Sequence, residues 1–158
     1  MAVPDQSVFA KAEMLIRKPV FVVYEAFTDP QVTTKFWFTK SSGKLVAGQQ
    51  AEWTWEMYEL TVPVLVTALE PNQRIRVEWG NGDDMTSVEW TFNALSEHST
   101  FVSIVNEGFS GDTPQLIAQV RDSTEGFTLV LAGLKAYLEH GIQLNLVNDR
   151  FPEESMNK

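Results

Sequence analysis

Along three separate stretches of the chain every second residue is apolar, and the alternation repeatedly lands on tryptophan. In "AEWTWEMYEL", Ala51 to Leu60, an extended backbone puts Ala51, Trp53, Trp55, Met57 and Glu59 on one side and Glu52, Thr54, Glu56, Tyr58 and Leu60 on the other, because successive side chains of a strand face opposite ways. Ile75, Val77 and Trp79 alternate with Arg74, Arg76 and Glu78; Val88, Trp90 and Phe92 alternate with Glu89, Thr91 and Asn93. Three strands thus turn four tryptophans toward one interior and their charges toward water. The glutamates of the decapeptide read as a solvated face, not as an acidic centre. A sheet with one apolar face needs a cover.

The punctuation supplies the other elements. "SVFAKAEMLI" reads as a first strand that Lys18-Pro19 ends. Pro19 then suits a first helical turn, and Val20, Val23, Tyr24 and Phe27 recur at helical spacing. Asp29-Pro30 closes that helix and opens a second short one carrying Val32, Lys35 and Phe36 into "FWF". Strands are expected at 44–47, 50–60, 63–70, 73–80, 85–94 and 99–107. Turns are expected between them, the strongest at "GNGDD", where Asn-Gly tolerates the positive φ of a tight hairpin. After "GFSGDTP", with Asp112 or Thr113 as cap, Ile117, Val120, Thr124, Phe127, Leu131, Leu134 and Leu138 form a helical stripe that Gly141 stops. "DSTE", Asp122 to Glu125, predicts a break or kink within that helix. The polar tail 148–158 is expected to fray. The class is α+β, with two short helices between the first two strands and the last helix as the cover. No repeat or linker divides the chain, so one domain is expected over 1–158, with its core at about 8–145.

Composition bounds the function. The 158 residues carry a net charge of -9, which opposes phosphate backbones and anionic membranes. No apolar run approaches the roughly 20 residues that span a bilayer, and "MAVPDQSVFAKAEMLIRKP" has no continuous apolar core, so neither membrane insertion nor a secretory signal is expected. The absence of cysteine fits a reducing cytoplasm and removes thiol chemistry and thiolate ligands.

Each catalytic or metal motif also has a structural reading. His98 lies in a turn, "SEHST", and His140 in a last helical turn, where a cation offsets the dipole. Their separation predicts no metal, and no cofactor motif occurs. "GFSGD" lacks the order of a nucleophile elbow. "GNGDD" lacks a phosphate-binding lysine, and the hairpin reading takes precedence. Of Asn106 and Glu107 only one faces the interior; an inward Glu107 needs a partner or a raised pKa. No catalytic residue is assigned. Large rings on a curved sheet under one helix leave space that close packing does not tile, which makes the interior a pocket candidate.

"VYEAFTDP", the aromatic "KFWF", "LEPNQRIRVEW" and "STEGFTLVLAGLKAYLEHG" together resemble the START-like superfamily, in its branch related to the activator of Hsp90 ATPase. The resemblance covers roughly residues 8 to 145. The chain has Gly126-Phe127 where tryptophan commonly follows glycine, and "AGQQAEW" where many relatives have Gly-Gly. The resemblance implies a helix-grip fold, a seven-stranded curved antiparallel sheet around a long C-terminal helix with a cavity between them. A binding module for a small hydrophobic or aromatic ligand is expected, with Trp37, Trp53, Trp55, Trp79, Trp90, Phe127 and Leu131 around the ligand. The alternative is a co-chaperone domain with a chaperone partner; a cyclase- or hydrolase-like enzyme using Glu107 or Tyr24 comes third.

Overall fold

A computed structural model describes residues 8–152. The elements are β1 (Phe9–Ile16), α1 (Val20–Thr28), α2 (Pro30–Thr33), β2 (Lys40–Ser41), β3 (Gln50–Trp55), β4 (Leu60–Glu70), β5 (Arg74–Trp79), β6 (Thr86–Ser96), β7 (Ser99–Glu107), α3 (Thr113–His140) and α4 (Leu146–Arg150). The strands form one seven-stranded antiparallel sheet in the order β1-β7-β6-β5-β4-β3-β2. This is the α+β helix-grip arrangement, with α3 lying beside β1 across the concave face.

The alternation of the sequence governs which face is buried. Trp53, Trp55, Ile75, Val77, Val88, Trp90 and Phe92 are all buried inward. On the convex face Arg74 bonds Glu70 at 2.7 Å and Glu89 at 2.8 Å. Asn106 points in and is buried, while Glu107 stands on the convex side with Arg76 4.0 Å away. That resolves the pair.

Several expected boundaries moved, each for a physical reason. No strand forms at 44–47. The short β2 forms at Lys40–Ser41 instead, and the following loop spends its N–H groups on Thr28 (from Leu45, 3.2 Å) and Val66 (from Gly48, 2.8 Å). The expected strand 50–60 stops at Trp55, where Glu56–Tyr58 makes a 3₁₀ turn and Glu59 takes φ 50. Met57 and Glu59 therefore do not continue the face of Trp53 and Trp55. Pro63 falls inside β4 rather than in a turn; pairing to β5 begins only at Val64, so the missing N–H leaves no ladder bond unmade on that side. In "GNGDD" the positive φ values belong to Gly80 (126) and Gly82 (60), not to Asn81, and a Cβ on Gly80 would lie 2.6 Å from the Asp84 carbonyl oxygen.

The long helix is also simpler than expected. Asp112 and Gln115 form its capping box, and Gly141, at φ 67, ends it. It runs unbroken through Asp122–Glu125, because the Ser123 hydroxyl turns sideways to Asn106 Oδ1 (2.8 Å) instead of capping a new turn. Its buried face begins at Phe127 and continues through Leu131 and Leu134, whereas Ile117 is exposed. In its described part the tail forms α4, which packs beside α3; residues 153–158 lie outside the described residues.

The C-terminal end of α3 is tied to β1 by one carboxylate. Glu139 Oε2 accepts from the Arg17 backbone N–H (2.8 Å) and from Lys135 Nζ (2.7 Å), and Lys135 also donates to the Leu15 carbonyl (2.8 Å). Burial alone raises the Glu139 pKa; the hydrogen bond from Arg17 and the bond and charge of Lys135 outweigh it and hold the pKa below its ordinary value of 4.5. A carboxyl with a depressed folded pKa contributes stability that is present above the unfolded value and lost as pH falls through the folded one. Glu139→Gln is therefore expected to cost about 1 kcal/mol at neutral pH and to flatten the acid limb of the stability profile. Urea unfolding of both proteins across the acid range checks this; parallel profiles would contradict it.

Candidate ligand cleft between the sheet and the long helix

The site is organised by Trp37. Asp29 caps α2 through Gln31 N (3.0 Å), and the Thr33 hydroxyl, fully buried, bonds back to the Asp29 carbonyl (3.0 Å). This short, braced helix delivers "FWF" over the concave face. The Trp37 ring centroid lies 5.0 Å from Trp53, 5.7 Å from Phe127, 5.9 Å from Trp79, and 6.0 Å from both Trp55 and Trp90. All five tryptophans of the chain meet in one cluster.

A cleft of about 520 Å³ opens beside that cluster. Trp37, Trp79 and Phe127 line it from the aromatic side, and Gly126, Leu129 and Val130 line it from α3. Its outer wall is Tyr58, Val147 and Phe151, with Asp122, Ser123, Glu125 and Arg150 supplying the polar groups. Of the seven residues expected around a ligand, Trp37, Trp79 and Phe127 therefore lie on this wall. Trp53, Trp55, Trp90 and Leu131 are packed behind it, with Leu131 fully buried.

Two polar systems frame the cleft. In the first, Asn106 Nδ2 donates to Thr86 Oγ1 (2.9 Å) and to the Ser87 carbonyl (2.8 Å), while its Oδ1 accepts from Ser123. Trp79 Nε1 also donates to Thr86 Oγ1 (3.1 Å). The network fastens α3 to β6 and β7. In the second, α4 and Phe151 form a strap. The Tyr58 hydroxyl donates to the Val147 carbonyl, Arg150 pairs with Glu125, and the Arg150 guanidinium lies 4.3 Å over the Phe151 ring. Tyr58 and Phe151 meet edge to face at 6.1 Å. Burial pushes the Tyr58 phenol above its ordinary 10.0, so it remains a donor at neutral pH.

Sequence reasoning missed Tyr58 because of where it ended the strand. A strand running on to residue 60 assigns Tyr58 to the solvent face; the turn at 56–58 swings it to the mouth. One signal was available: Gly126 sits mid-helix, where glycine costs about 1 kcal/mol relative to alanine, and the structure puts it on the cleft wall. Among the described residues no three His, Cys, Asp or Glu side chains converge to hold a metal ion, and no helix is long and apolar enough to cross a membrane. His98 and His140 are exposed, away from the cleft.

Tyr58→Phe removes the strap's hydrogen bond while retaining its contact with Phe151. The expected result is a global stability loss of no more than about 1 kcal/mol, with protease cleavage within 146–152 accelerated about fivefold. Limited proteolysis followed by mass spectrometry reads both the site and the rate; unchanged cleavage would show that the bond does not hold the strap.

Comparison with known proteins matches this architecture. A protein from Staphylococcus saprophyticus, SSP2350, is 30% identical, with 86% of this chain and 95% of that chain covered at a TM-score of 0.73. DynU16, from the dynemicin biosynthetic locus, superposes at 0.77 with 19% identity over 87% of this chain, which spans 49% of the DynU16 chain. The Aha1 dimer from Colwellia psychrerythraea gives 0.72 at 22% identity, with 85% and 98% covered. No curated protein sequence matches. The family model described as activator of Hsp90 ATPase homolog 1-like protein matches residues 17–139. With most of its length matched, and with the sheet, the braced α2 and the long capped helix that the fold requires, the chain belongs to the activator of Hsp90 ATPase homolog 1-like family.

Proposed function

We propose that the chain is a binding module, a single START-like domain over 1–158 working in the cytoplasm, that holds a small hydrophobic or aromatic molecule between the sheet and α3. The observation that carries this reading is the cleft itself. Its volume of about 520 Å³ lies within the range of roughly 300–1,000 Å³ typical of small-molecule sites. Indole and phenyl rings form its wall, and a few polar groups are placed at the rim, the composition that fixes a ligand's orientation without dominating its affinity. Trp37, Trp79 and Phe127 are the direct contacts in this proposal; Trp53, Trp55, Trp90 and Leu131 hold those contacts in place.

A second reading follows from the family description, which names an activator of the Hsp90 ATPase: the domain binds a chaperone through its surface. An enzymatic reading has less to stand on. Glu107 is on the convex face, and Tyr24 packs edge to face against Phe92 (5.5 Å), so neither candidate for proton transfer lines the cleft.

One substitution separates the first two readings. A Cβ built on Gly126 meets nothing within 4 Å, so the position has room to begin a side chain on the cleft wall, and Gly126→Leu gains about 1 kcal/mol of helix propensity. Titration of the parent with fatty acids, flavonoids and polyaromatics is expected to shift indole emission, because Trp37 and Trp79 line the wall. Gly126→Leu is expected to melt no lower than the parent and to lose that response. Stimulation of an Hsp90 ATPase that survives in Gly126→Leu supports the co-chaperone reading. If no compound binds the parent, or binding persists with the cleft filled, the module reading fails.

A further inference from the structure

The aromatic wall of the cleft carries one free donor. Its rings are those of Trp37, Trp79 and Phe127. A phenyl ring has no N–H, and the Trp79 indole spends its own on Thr86 Oγ1 (3.1 Å). The Trp37 indole N–H lines the cleft and makes no hydrogen bond among the described residues. It differs from the Trp90 N–H, which is also unpartnered but is sealed in the core behind the wall. Solvent reaches the Trp37 N–H through the open cleft. Trp37 as a whole is only 7% exposed, so a molecule seated on the wall takes that solvent away.

The other polar groups of the cleft do not meet this fate. Arg150 keeps unbonded N–H groups and its charge, but its side chain is 42% exposed and that of Glu125 is 40% exposed. The Asp122 side chain is 76% exposed. Water continues to serve all three beside a bound ligand. The Ser123 hydroxyl already has a partner in Asn106 Oδ1 (2.8 Å). Trp37 Nε1 is therefore the donor that a ligand either strands or satisfies.

We infer that the cleft takes neutral aromatic molecules with a carbonyl on the ring system, whose oxygen accepts the Trp37 N–H. The inference rests on the binding-module reading and names the group that the ligand turns to the wall. A hydrocarbon of the same shape gains similar apolar burial against Trp79 and Phe127 but leaves the indole donor unmatched, and a buried donor without a partner is costly. A carbonyl oxygen lying near the indole plane takes the place of the displaced water.

Indanone and indane, one bicycle with a carbonyl or a methylene at the same position, test this by NMR titration of isotope-labelled protein. Indanone is expected to bind about tenfold tighter, the scale of one hydrogen bond in a partly dry site. Both compounds carry the same benzene ring, so ring-current effects are common to the two. Indanone alone is expected to move the Trp37 indole N–H proton downfield, the signal being assigned through its own side-chain correlations. In Trp37→Phe the tenfold preference should vanish. Equal binding of the two compounds, or a preference that survives in Trp37→Phe, overturns the carbonyl rule and leaves the module reading intact. An indanone preference with the Trp37 signal unmoved overturns the role of Trp37. Binding of neither compound overturns the inference; if the fatty acids, flavonoids and polyaromatics also fail to bind, the module reading falls with it. The preference and the N–H shift are read on the parent protein, so they stand even if Trp37→Phe does not fold.

Discussion

The position of a single side chain, Trp37, decides how the concave face of this sheet is used. It belongs to no strand, yet its ring touches those of Phe38, Trp53, Trp55, Trp79, Trp90 and Phe127. Each such edge-to-face or tilted pair is worth about 0.5–1.5 kcal/mol beyond simple burial, so the cluster resists rearrangement by any one substitution. It also tolerates a defect. The Trp90 indole N–H is buried with no partner among the described residues, a loss of about 1–3 kcal/mol. Its neighbours are the rings of Phe27, Trp37 and Phe127, and their packing outweighs the missing bond. Trp37 thereby fills the space between Trp53, Trp90 and Phe127, and the cleft lies beside it.

Beside the cleft, α3 is fastened at three places. Glu139 and Lys135 draw the C-terminal half of α3 toward β1, and Gly133 lets it approach α2's exit, where a Cβ would stand 3.2 Å from Phe36. The Asn106 network holds the middle of α3 to β6 and β7. All three fasteners lie along one flank of α3 or against the α2 exit. Across the cleft the helix faces Trp79 and Tyr58; Phe127 packs against Trp79 at 5.8 Å, and the Glu125–Arg150 pair joins the helix to the strap. An exposed pair of this kind contributes little, from about 0 to 1 kcal/mol. The cleft is thus the space left between the aromatic contacts of Phe127 and the strap.

The inward face of the sheet was legible because period two is a strong signal wherever one side is dry: Trp53, Trp55, Trp79 and Trp90 all point inward as the alternation requires. The cap, the stop and the extent of α3 were legible for similarly local reasons. The 3₁₀ turn at Glu56–Tyr58 was not, since its residues continue the alternation and only the left-handed Glu59 ends it. Nor was the continuity of α3 through "DSTE". A local capping box and a distant asparagine compete for the same serine hydroxyl, and only the tertiary structure brings the asparagine near. The strap was missed because a polar tail reads as solvated until the chain's return places a phenol and a carboxylate opposite it. The last two of these misses concern a partner remote in sequence.

Those remote partners are the ones that give the cleft its chemistry. The turn that ends β3 supplies Tyr58, the sideways bond that spoils a kink in α3 commits the Ser123 proton, and the folded tail supplies Arg150 and Phe151. The aromatic wall, by contrast, follows from the alternating pattern and resembles what any closely packed member of this fold could present. Apolar rings set how much a ligand gains by leaving water; they discriminate poorly among ligands of one size. Discrimination comes from groups that lose a hydrogen bond or gain a like charge when the wrong molecule enters. In this chain such groups lie on the rim and outer wall of the cleft, where α3, the turn after β3 and the strap meet, while Trp37 and its neighbours form its aromatic wall, with one free indole N–H.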